Sequence, residues 1–546
     1  MRSVPILVLP LFAAACTGII GGGDDGSSGS SGPGSTRAPT VNGQIVVTPQ
    51  VVRVTSLAYT NSVRDLFPGI TIPALTLPSA PTSVVYDNNA VAQAPTATLI
   101  QAYQANGQAI ANAVVAKLAA VLPCSASAVD DACATTYLTD LSSRAYRHPL
   151  QDDERARLGT AWQSLRAAND VPTSIGAVIE GILQAPAFLY QIEEGTPVED
   201  NPNVARLTGN ELATRLATLF WASIPDATLR AVGDDDRILD PDELDAQARR
   251  ILDDPRAHES VAHMQYQWLR FNLLEKIKKD TTLFPTWSDT TAATMREATV
   301  RFTDHVFWEE GNFAALFTDS HAFVNDLLAP YYGLNAGGGS ALTMTTVPSS
   351  QRSGLLTQVG LLSAFGHETM ESPVLRGVFV LDRLLCSPPP PPPPDVKNTP
   401  PAATNVETTT TRERFQAHHE QGSCAGCHKL IDGVGFGFEH FDAVGKWRDS
   451  EGGKPVDATG MLIGTGDADG AFVGVGELSV KIANSQRSSF CITRNWMQYA
   501  LGIDASAATE DLVKPLQADL GPTPAFRNLL LSIVKSSAFR FRTVTP

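Results

Sequence analysis

Positive charge is in short supply in this sequence: 41 Lys and Arg face 57 Asp and Glu, for a formal net charge of -16. No basic stripe exists to neutralise phosphates, which excludes nucleic acid as a partner. The same shortage excludes an electrostatic grip on anionic lipid, and the acidic surplus reads as a solvated surface. Beyond the N-terminal segment no apolar run reaches the roughly 18 residues needed to span a bilayer. The G-x-S-x-G, H-E-x-x-H and P-loop patterns are missing, so hydrolase and nucleotide-binding readings lack support.

What is present begins with an export signal. Arg2 supplies one positive charge, Val4 to Ala15 form an apolar run, and Ala13-Ala14-Ala15-Cys16 places small residues before a cysteine. The pattern resembles a bacterial lipobox, with Ala13 where Leu is usual, in which Cys16 becomes the lipidated first residue of the mature chain. A plain secretory signal cleaved nearby is the alternative. Gly21 to Ser35 cannot bury a core and reads as a flexible tether, as a surface lipoprotein needs. The expectation is an exported lipoprotein at the outer membrane or cell surface that touches the membrane through its lipid anchor only. A periplasmic or secreted soluble protein is the alternative.

At 546 residues the chain is too long for a single core. Apolar residues recur mostly at helical spacing. Thr55 is placed to cap a helix carrying Tyr59, Val63, Leu66 and Phe67, and Thr208 with Glu211 has capping-box spacing before Leu212, Leu216, Leu219 and Phe220. Helices are predicted over Thr96 to Val121, Ala134 to Trp162 with a break near His148-Pro149, Asp242 to Asp253, Ala257 to Leu274 and Met295 to Glu310. Further ones cover Leu355 to Phe365, Val374 to Leu385, Arg487 to Leu501 and Pro524 to Ser536. His258, His263 and His305 fall on these segments as core or surface residues. Pro388 to Pro394 must be polyproline II, a strut of about 20 Å. Val456 to Val475 reads as loops with a small hairpin. The fold class is mainly α: several helical modules and a small C-terminal c-type cytochrome-like region with loops and a short hairpin.

Cys424-Ala425-Gly426-Cys427-His428 is a C-x-x-C-H sequence, the signature of covalent c-type haem attachment. Two thiols at this spacing reach the two vinyl groups of one porphyrin edge, and His428 follows as proximal iron ligand. Export agrees, because attachment takes place outside the cytoplasm. A thioredoxin-like motif would need a βαβ context that is lacking here. A zinc site would need two further ligands; His418 and His419 are near, but no second C-x-x-C exists. A Cys424–Cys427 disulfide leaves the trailing His without a role. One haem c is therefore expected on Cys424, Cys427 and His428. For the sixth ligand the candidates are Met461, 33 residues downstream of His428, and His367; His440, Met370 and Met497 are less favoured. With Cys16 lipidated and Cys424 and Cys427 on haem, four cysteines remain. Cys124 and Cys133 enclose a short polar loop and pair naturally, which leaves Cys386 with Cys491 by elimination. Thr465-x-Asp467-x-Asp469-Gly470 overlaps the start of a calcium loop, but Gly476 stands where the bidentate Glu belongs, so a solvated turn is expected.

With these residues the chain resembles the exported planctomycete-type surface cytochrome proteins, also frequent in myxobacteria and built from PSCyt and PSD domains of unknown function. The matching pieces are Ser372 to Gly377, the proline run, Thr411 to Phe415, Cys424 to His428, Ile431-Asp432, Gly435-Phe436 and Glu439 to Arg448. Upstream, Val63 to Phe67, Arg144 to Leu150, Phe188 to Tyr190, Glu211 to Ala213 and Gln267 to Leu269 extend the likeness, and Tyr499 to Gly502 and Phe539-Arg540 close it. The resemblance implies c-type cytochrome character and surface location without a settled reaction. The expected organisation is a signal peptide with lipobox at 1–16, a linker at 17–48, and an N-terminal helical module at 49–122. A small module containing Cys124 and Cys133 follows at 123–170, then a central module at 171–335, a haem-motif module with the polyproline strut at 345–450, and a C-terminal module at 451–546. Electron transfer with an unidentified redox partner protein or small-molecule donor or acceptor is the leading function. The alternatives are a haem-dependent oxidoreductase with its own substrate pocket and a surface protein binding polysaccharide or an envelope partner.

Overall fold

The structure is a computed structural model describing residues 39–41, 43–47, 51–79, 85–90, 93–124, 129–276, 278–391, 407–419, 425–520 and 524–544. Cys16 with the lipobox, the Gly21–Ser35 tether, Pro392 to Pro394 and Cys424 lie outside these residues, as do the side chains of His418 and His419. The architecture is mainly α, with short strands between the helices. Among the described residues no helix is long and apolar enough to cross a membrane.

After the hairpin of β1 (Thr40–Val41) and β2 (Gln44–Ile45) comes β3 (Val52–Arg53). Thr55 accepts from the Ala58 N–H and starts α1 (Ser56–Leu66). Thr96 does the same for α2 (Ala97–Val115), which ends at Val115 rather than Val121. The break near His148-Pro149 lies at Arg147, left-handed with φ 69°, between α3 (Asp131–Tyr146) and α4 (Asp152–Arg166). Asp170 caps α5 (Val171–Gln184), and α6 (Pro186–Leu189) follows. Ile110 and Val114 of α2 meet Ile175, Ile179 and Ile182 of α5 in one core that runs from Val54 to Leu189 and takes in Ala222 and Ile224. Residues between Val54 and Leu122 thus share a core with residues between Cys133 and Leu189. The buried Arg147 guanidinium ties it off by donating to the carbonyls of Ala187, Phe188 and Tyr190. Burial lowers its pKa to about 10.

β4 (Tyr190–Gln191), β5 (Thr196–Val198) and β6 (Asn201–Arg206) lead to α7 (Gly209–Trp221), which begins with the Thr208–Glu211 capping box. The central helices are α8 (Ala227–Asp234), α9 (Pro241–Leu252), α10 (Arg256–Trp268), α11 (Asp289–His305) and α12 (Ala315–Thr318). The helix expected to reach Leu274 stops at Trp268 because Arg270 turns left-handed, and α11 passes into a π turn over Val306–Glu310. β7 (His321–Val324) and β8 (Thr343–Thr346) form a hairpin. α13 (Val359–Ala364), α14 (Pro373–Phe379), α15 (Thr411–His419) and α16 (Ala425–Gly435) build the motif region. β9 (Ser450–Glu451), β10 (Lys454–Pro455), β11 (Thr459–Leu462) and β12 (Gly470–Val473) make two hairpins. The chain closes with α17 (Gly474–Ala483), α18 (Gln486–Leu501), α19 (Ala507–Leu520), α20 (Phe526–Lys535), α21 (Ser537–Arg540) and β13 (Phe541–Thr543).

A second core joins these elements around Trp221, Trp268 and Trp496, with Phe302, Phe438, Leu478 and Leu530 among its members. β13 returns to pair antiparallel with β6, Phe541 opposite Arg206, so the last helices are stitched to the central module. Disulfides join Cys124 to Cys133 and Cys386 to Cys491.

Candidate haem-motif site

Thr410 and Glu413 form reciprocal backbone bonds that start α15, and Phe415 on that helix packs with Met370 and Phe436 in a small separate core. Cys427 and His428 ride on the first turns of α16. Cys427 carries a free thiol, is half-buried and touches the edge of the main core. Nδ1 of His428 lies 3.2 Å from Oδ1 of Asp432, one turn on. That contact assigns Nδ1 to the carboxylate and makes Nε2 the ring nitrogen turned away from it. A carboxylate behind an imidazole fixes its tautomer and raises its basicity as a ligand.

The platform beneath α16 is close-packed backbone. Gly377 of α14 lies against the Ile431 carbonyl, and Gly435 lies against Pro373, at distances that leave no room for a Cβ at either. Buried Arg376 of α14 donates to the carbonyls of Leu362, Phe438, Phe441 and Asp442, and Arg352 reaches those of Tyr331, Thr357 and Gly445. Burial lowers both guanidinium pKa values to about 10. Ser372 to Gly377 and Glu439 to Arg448, noted separately in the sequence, are therefore two halves of one contact.

Below this platform Arg448 faces three acidic side chains. It pairs with Glu371, lies 3.7 Å from Glu439 and 3.2 Å from Glu451, and donates from Nε to the Glu439 carbonyl. Glu451 also accepts from the N–H and hydroxyl of Thr411. Arg414 also reaches Glu451, at 3.4 Å, so Arg448 is left to Glu371 and Glu439, and burial works against ionising both. Burial and the neighbouring Glu371 push Glu439 up to about 8, while Arg448 holds Glu371 below the usual carboxylate range. The guanidinium fills the centre of the cluster, so it is an ion-pair network rather than a cation site.

The candidate sixth ligands occupy different surroundings. His367 is half-buried; its N–H donates to the Met370 carbonyl and its own carbonyl accepts from Nζ of Lys279 at 2.7 Å. Burial, with Lys279 and Arg376 nearby, keeps its pKa below the ordinary imidazole value. Met461 is on β11, 41% exposed, and its carbonyl packs against Gly433 of α16. Gly433 is five residues past His428, so this strand meets the face about 140° around the helix from the histidine. His440 is stacked on Trp447 at 4.2 Å and bonds the Arg448 carbonyl, and Met497 is fully buried in the main core.

The calcium-like segment is a turn. Asp469 accepts from Gly464 and Thr465, and Asp467 caps α18 through Ser485, Gln486 and Arg487. Sequence reasoning did not single out Asp432, Arg376, Glu439 or Arg448 as working residues. For Asp432 a signal existed, because position i+4 from His428 faces the same side of a helix.

As a donor set for haem c, Cys427 and His428 fit. The four other described cysteines are all in disulfides, which leaves Cys427 as the thiol, and the adjacent imidazole is held by a carboxylate. Among the described residues nothing lies within 4 Å of a Cβ placed at Gly426.

Four family descriptions match segments of the chain, each given as a protein of unknown function. They are PSD3 (DUF1587) over residues 53–116, PSD5 (DUF1595) over 133–193, PSD4 (DUF1592) over 207–334 and PSCyt3 (DUF1588) over 352–451. No curated protein and no solved structure matches it. PSCyt3 spans α14, α16 and the Glu439–Arg448 loop together, and the three PSD segments cover the helices that precede them. By these four segments the chain belongs to the planctomycete-type surface cytochrome family.

Proposed function

We propose that this chain is an exported, lipid-anchored c-type cytochrome-like protein with one haem, passing electrons to or from a redox partner at the cell envelope. The observation that carries this reading is a free thiol at Cys427 beside a histidine whose Nδ1 is held by Asp432. A haem bound there supplies one-electron chemistry. Cys424 and Cys427 attach the porphyrin edge and His428 presents Nε2. Asp432 fixes the tautomer and raises ligand basicity, which favours the oxidised state. α14 holds α16 in place through the contacts at Gly377 and Gly435. His367 and Met461 remain the proposed sixth ligands; the lowered pKa of His367 keeps its imidazole neutral, the form that binds iron.

A pyridine haemochrome spectrum and intact mass of protein matured in a bacterial periplasm test the proposal. The expected result is a c-type spectrum with one porphyrin mass added, lost in Cys424→Ala. Mature protein lacking that mass refutes it. His367→Ala and Met461→Ala separate the ligands: the correct one turns a low-spin spectrum high-spin.

The basic proximal histidine implied by Asp432 also suits peroxide chemistry, which keeps the oxidoreductase reading open. An open surface depression of about 860 Å³ is lined by Asp131, Thr135, Trp162 and Arg166 of α3 and α4, not by motif residues. A six-coordinate spectrum unresponsive to cyanide or peroxide favours electron transfer.

A further inference from the structure

His305 ends α11 inside the central module, 7% exposed, and its Nε2 is buried without a hydrogen-bond partner. Such an atom is rare in a native structure and requires an explanation. Around it stand carboxylates. Oε1 of Glu310 is 3.8 Å from Nε2, Oδ2 of Asp319 is 4.0 Å from it, and Oε2 of Glu309 is 3.3 Å from Nδ1. His321, at the start of β7, lies edge-on to His305 with ring centroids 6.2 Å apart. Its Nδ1 is 3.0 Å from Oδ1 of Asp319, which also accepts the His321 N–H. Ligand atoms of His305, Asp319 and His321 all lie within 4.8 Å of one another.

Two separate pieces of chain make this convergence. The π turn over Val306–Glu310 adds a residue to the helical circuit and brings Glu310 as well as Glu309 to the imidazole. The bend before β7 delivers Asp319 and His321. The Asp319 side chain is 6% exposed, and among the described residues no Lys or Arg pairs with Asp319, Glu309 or Glu310. A separation of 3.8 to 4.0 Å is too long for a hydrogen bond. It is close to the spacing of two ligands sharing one ion, which at metal–ligand distances of about 2.1 Å is roughly 3.4 Å in a tetrahedral site.

We infer that His305, Asp319 and His321, completed by Glu310, form a binding site for a zinc-class divalent metal ion that clamps the end of α11 to β7. Two imidazoles with carboxylates suit zinc and its neighbours rather than calcium or magnesium, which take oxygen sets. His305 Nε2 and Asp319 Oδ2 are the inner ligands. His321, a third exposed, lies on the entry side.

The test is calorimetric titration of the full, haem-matured chain, stripped with chelator, against Zn²⁺, with Co²⁺ absorption reporting coordination. One equivalent should bind, raise the melting temperature and give visible Co²⁺ ligand-field bands. His321→Ala and Glu310→Gln, both at the accessible rim, should weaken affinity at least about tenfold. Should His305→Ala fail to fold, these two variants decide. No saturable equivalent, or affinity unchanged in both variants, overturns the site. Thiols at the haem motif could take zinc, so the titration is repeated on the Cys424→Ser/Cys427→Ser chain; loss of the equivalent there also overturns it.

Discussion

Gly377 of α14 faces the backbone carbonyl of Ile431 on α16 so closely that a Cβ would overlap that oxygen. The two nearest atoms, the Ile431 carbonyl oxygen and carbon, are backbone and cannot swing away as a side chain would, so helix must move against helix. Gly377→Ala should cost about 1–3 kcal/mol and shift the helix that carries Cys427 and His428. Urea unfolding and haem yield during periplasmic maturation check both effects. Gly426→Ala, whose Cβ meets nothing among the described residues, is the internal comparison and should be close to neutral in stability.

Asp432 sits 3.2 Å from Nδ1 of His428, and its charge would favour the oxidised iron of the proposed haem. Asp432→Asn keeps the shape and removes the charge. A differential of about 1–2 kcal/mol between the two oxidation states corresponds to roughly 40–90 mV for one electron. The midpoint potential should therefore rise by that amount while the intact mass shows the porphyrin still attached. An unchanged potential would separate Asp432 from the haem.

Helix starts were readable because their signals are local. Thr208 and Glu211 cap α7 as their spacing requires, and Thr55 caps α1. Helix ends were harder where no proline follows: Arg270 turns left-handed without a glycine to announce it, whereas Pro149 announced the break at Arg147. α5 was overlooked although Asp170 caps it. The C-x-x-C-H motif needed no structure, but the residues supporting it did. Arg376 reaches the Asp442 carbonyl 66 residues away, and Arg448 meets Glu371 across 77. Pairings at that separation leave no periodic trace. His305 read as a filler because its partners Asp319 and His321 approach from a later segment after a π turn.

Glu439 gives stability a pH signature. Its carboxyl titrates near 4.5 in the unfolded chain and is pushed up to about 8 when folded. Between those values the folded chain holds a proton that the unfolded chain has released. Its contribution is thus complete below pH 4.5 and is lost as pH rises toward 8, with a limiting slope of about 1.4 kcal/mol per pH unit. Glu371, held below its ordinary range, acts with the opposite sign only under more acidic conditions. Lys279, lowered by burial to about 7 from 10.5, adds stability as pH climbs above 7. From pH 5 to 7 His367, held below its ordinary value by burial, acts with the opposite sign, so the Glu439 contribution is read as the difference between the parent chain and Glu439→Gln. Across that interval urea midpoints for the parent chain should fall relative to those of Glu439→Gln.

The two disulfides should differ in what they contribute. Cys124–Cys133 closes a separation of nine residues, whereas Cys386–Cys491 closes 105. In the chain-entropy treatment those loops correspond to about 2.6 and about 4.7 kcal/mol of destabilisation of the unfolded chain. The longer loop also contains α15, α16 and both hairpins between β9 and β12, so opening it frees the whole haem-motif segment in the unfolded state. Both of its cysteines are buried, and Arg487 donates to the Leu385 and Cys386 carbonyls beside the bridge. Those contacts use backbone carbonyls rather than the sulfurs, so the difference is expected to fall on the unfolded chain. Cys386→Ser with Cys491→Ser should therefore cost about 2 kcal/mol more than Cys124→Ser with Cys133→Ser in urea unfolding. Equal losses would mean that the unfolded chain stays compact around α14 to α18 without the bridge.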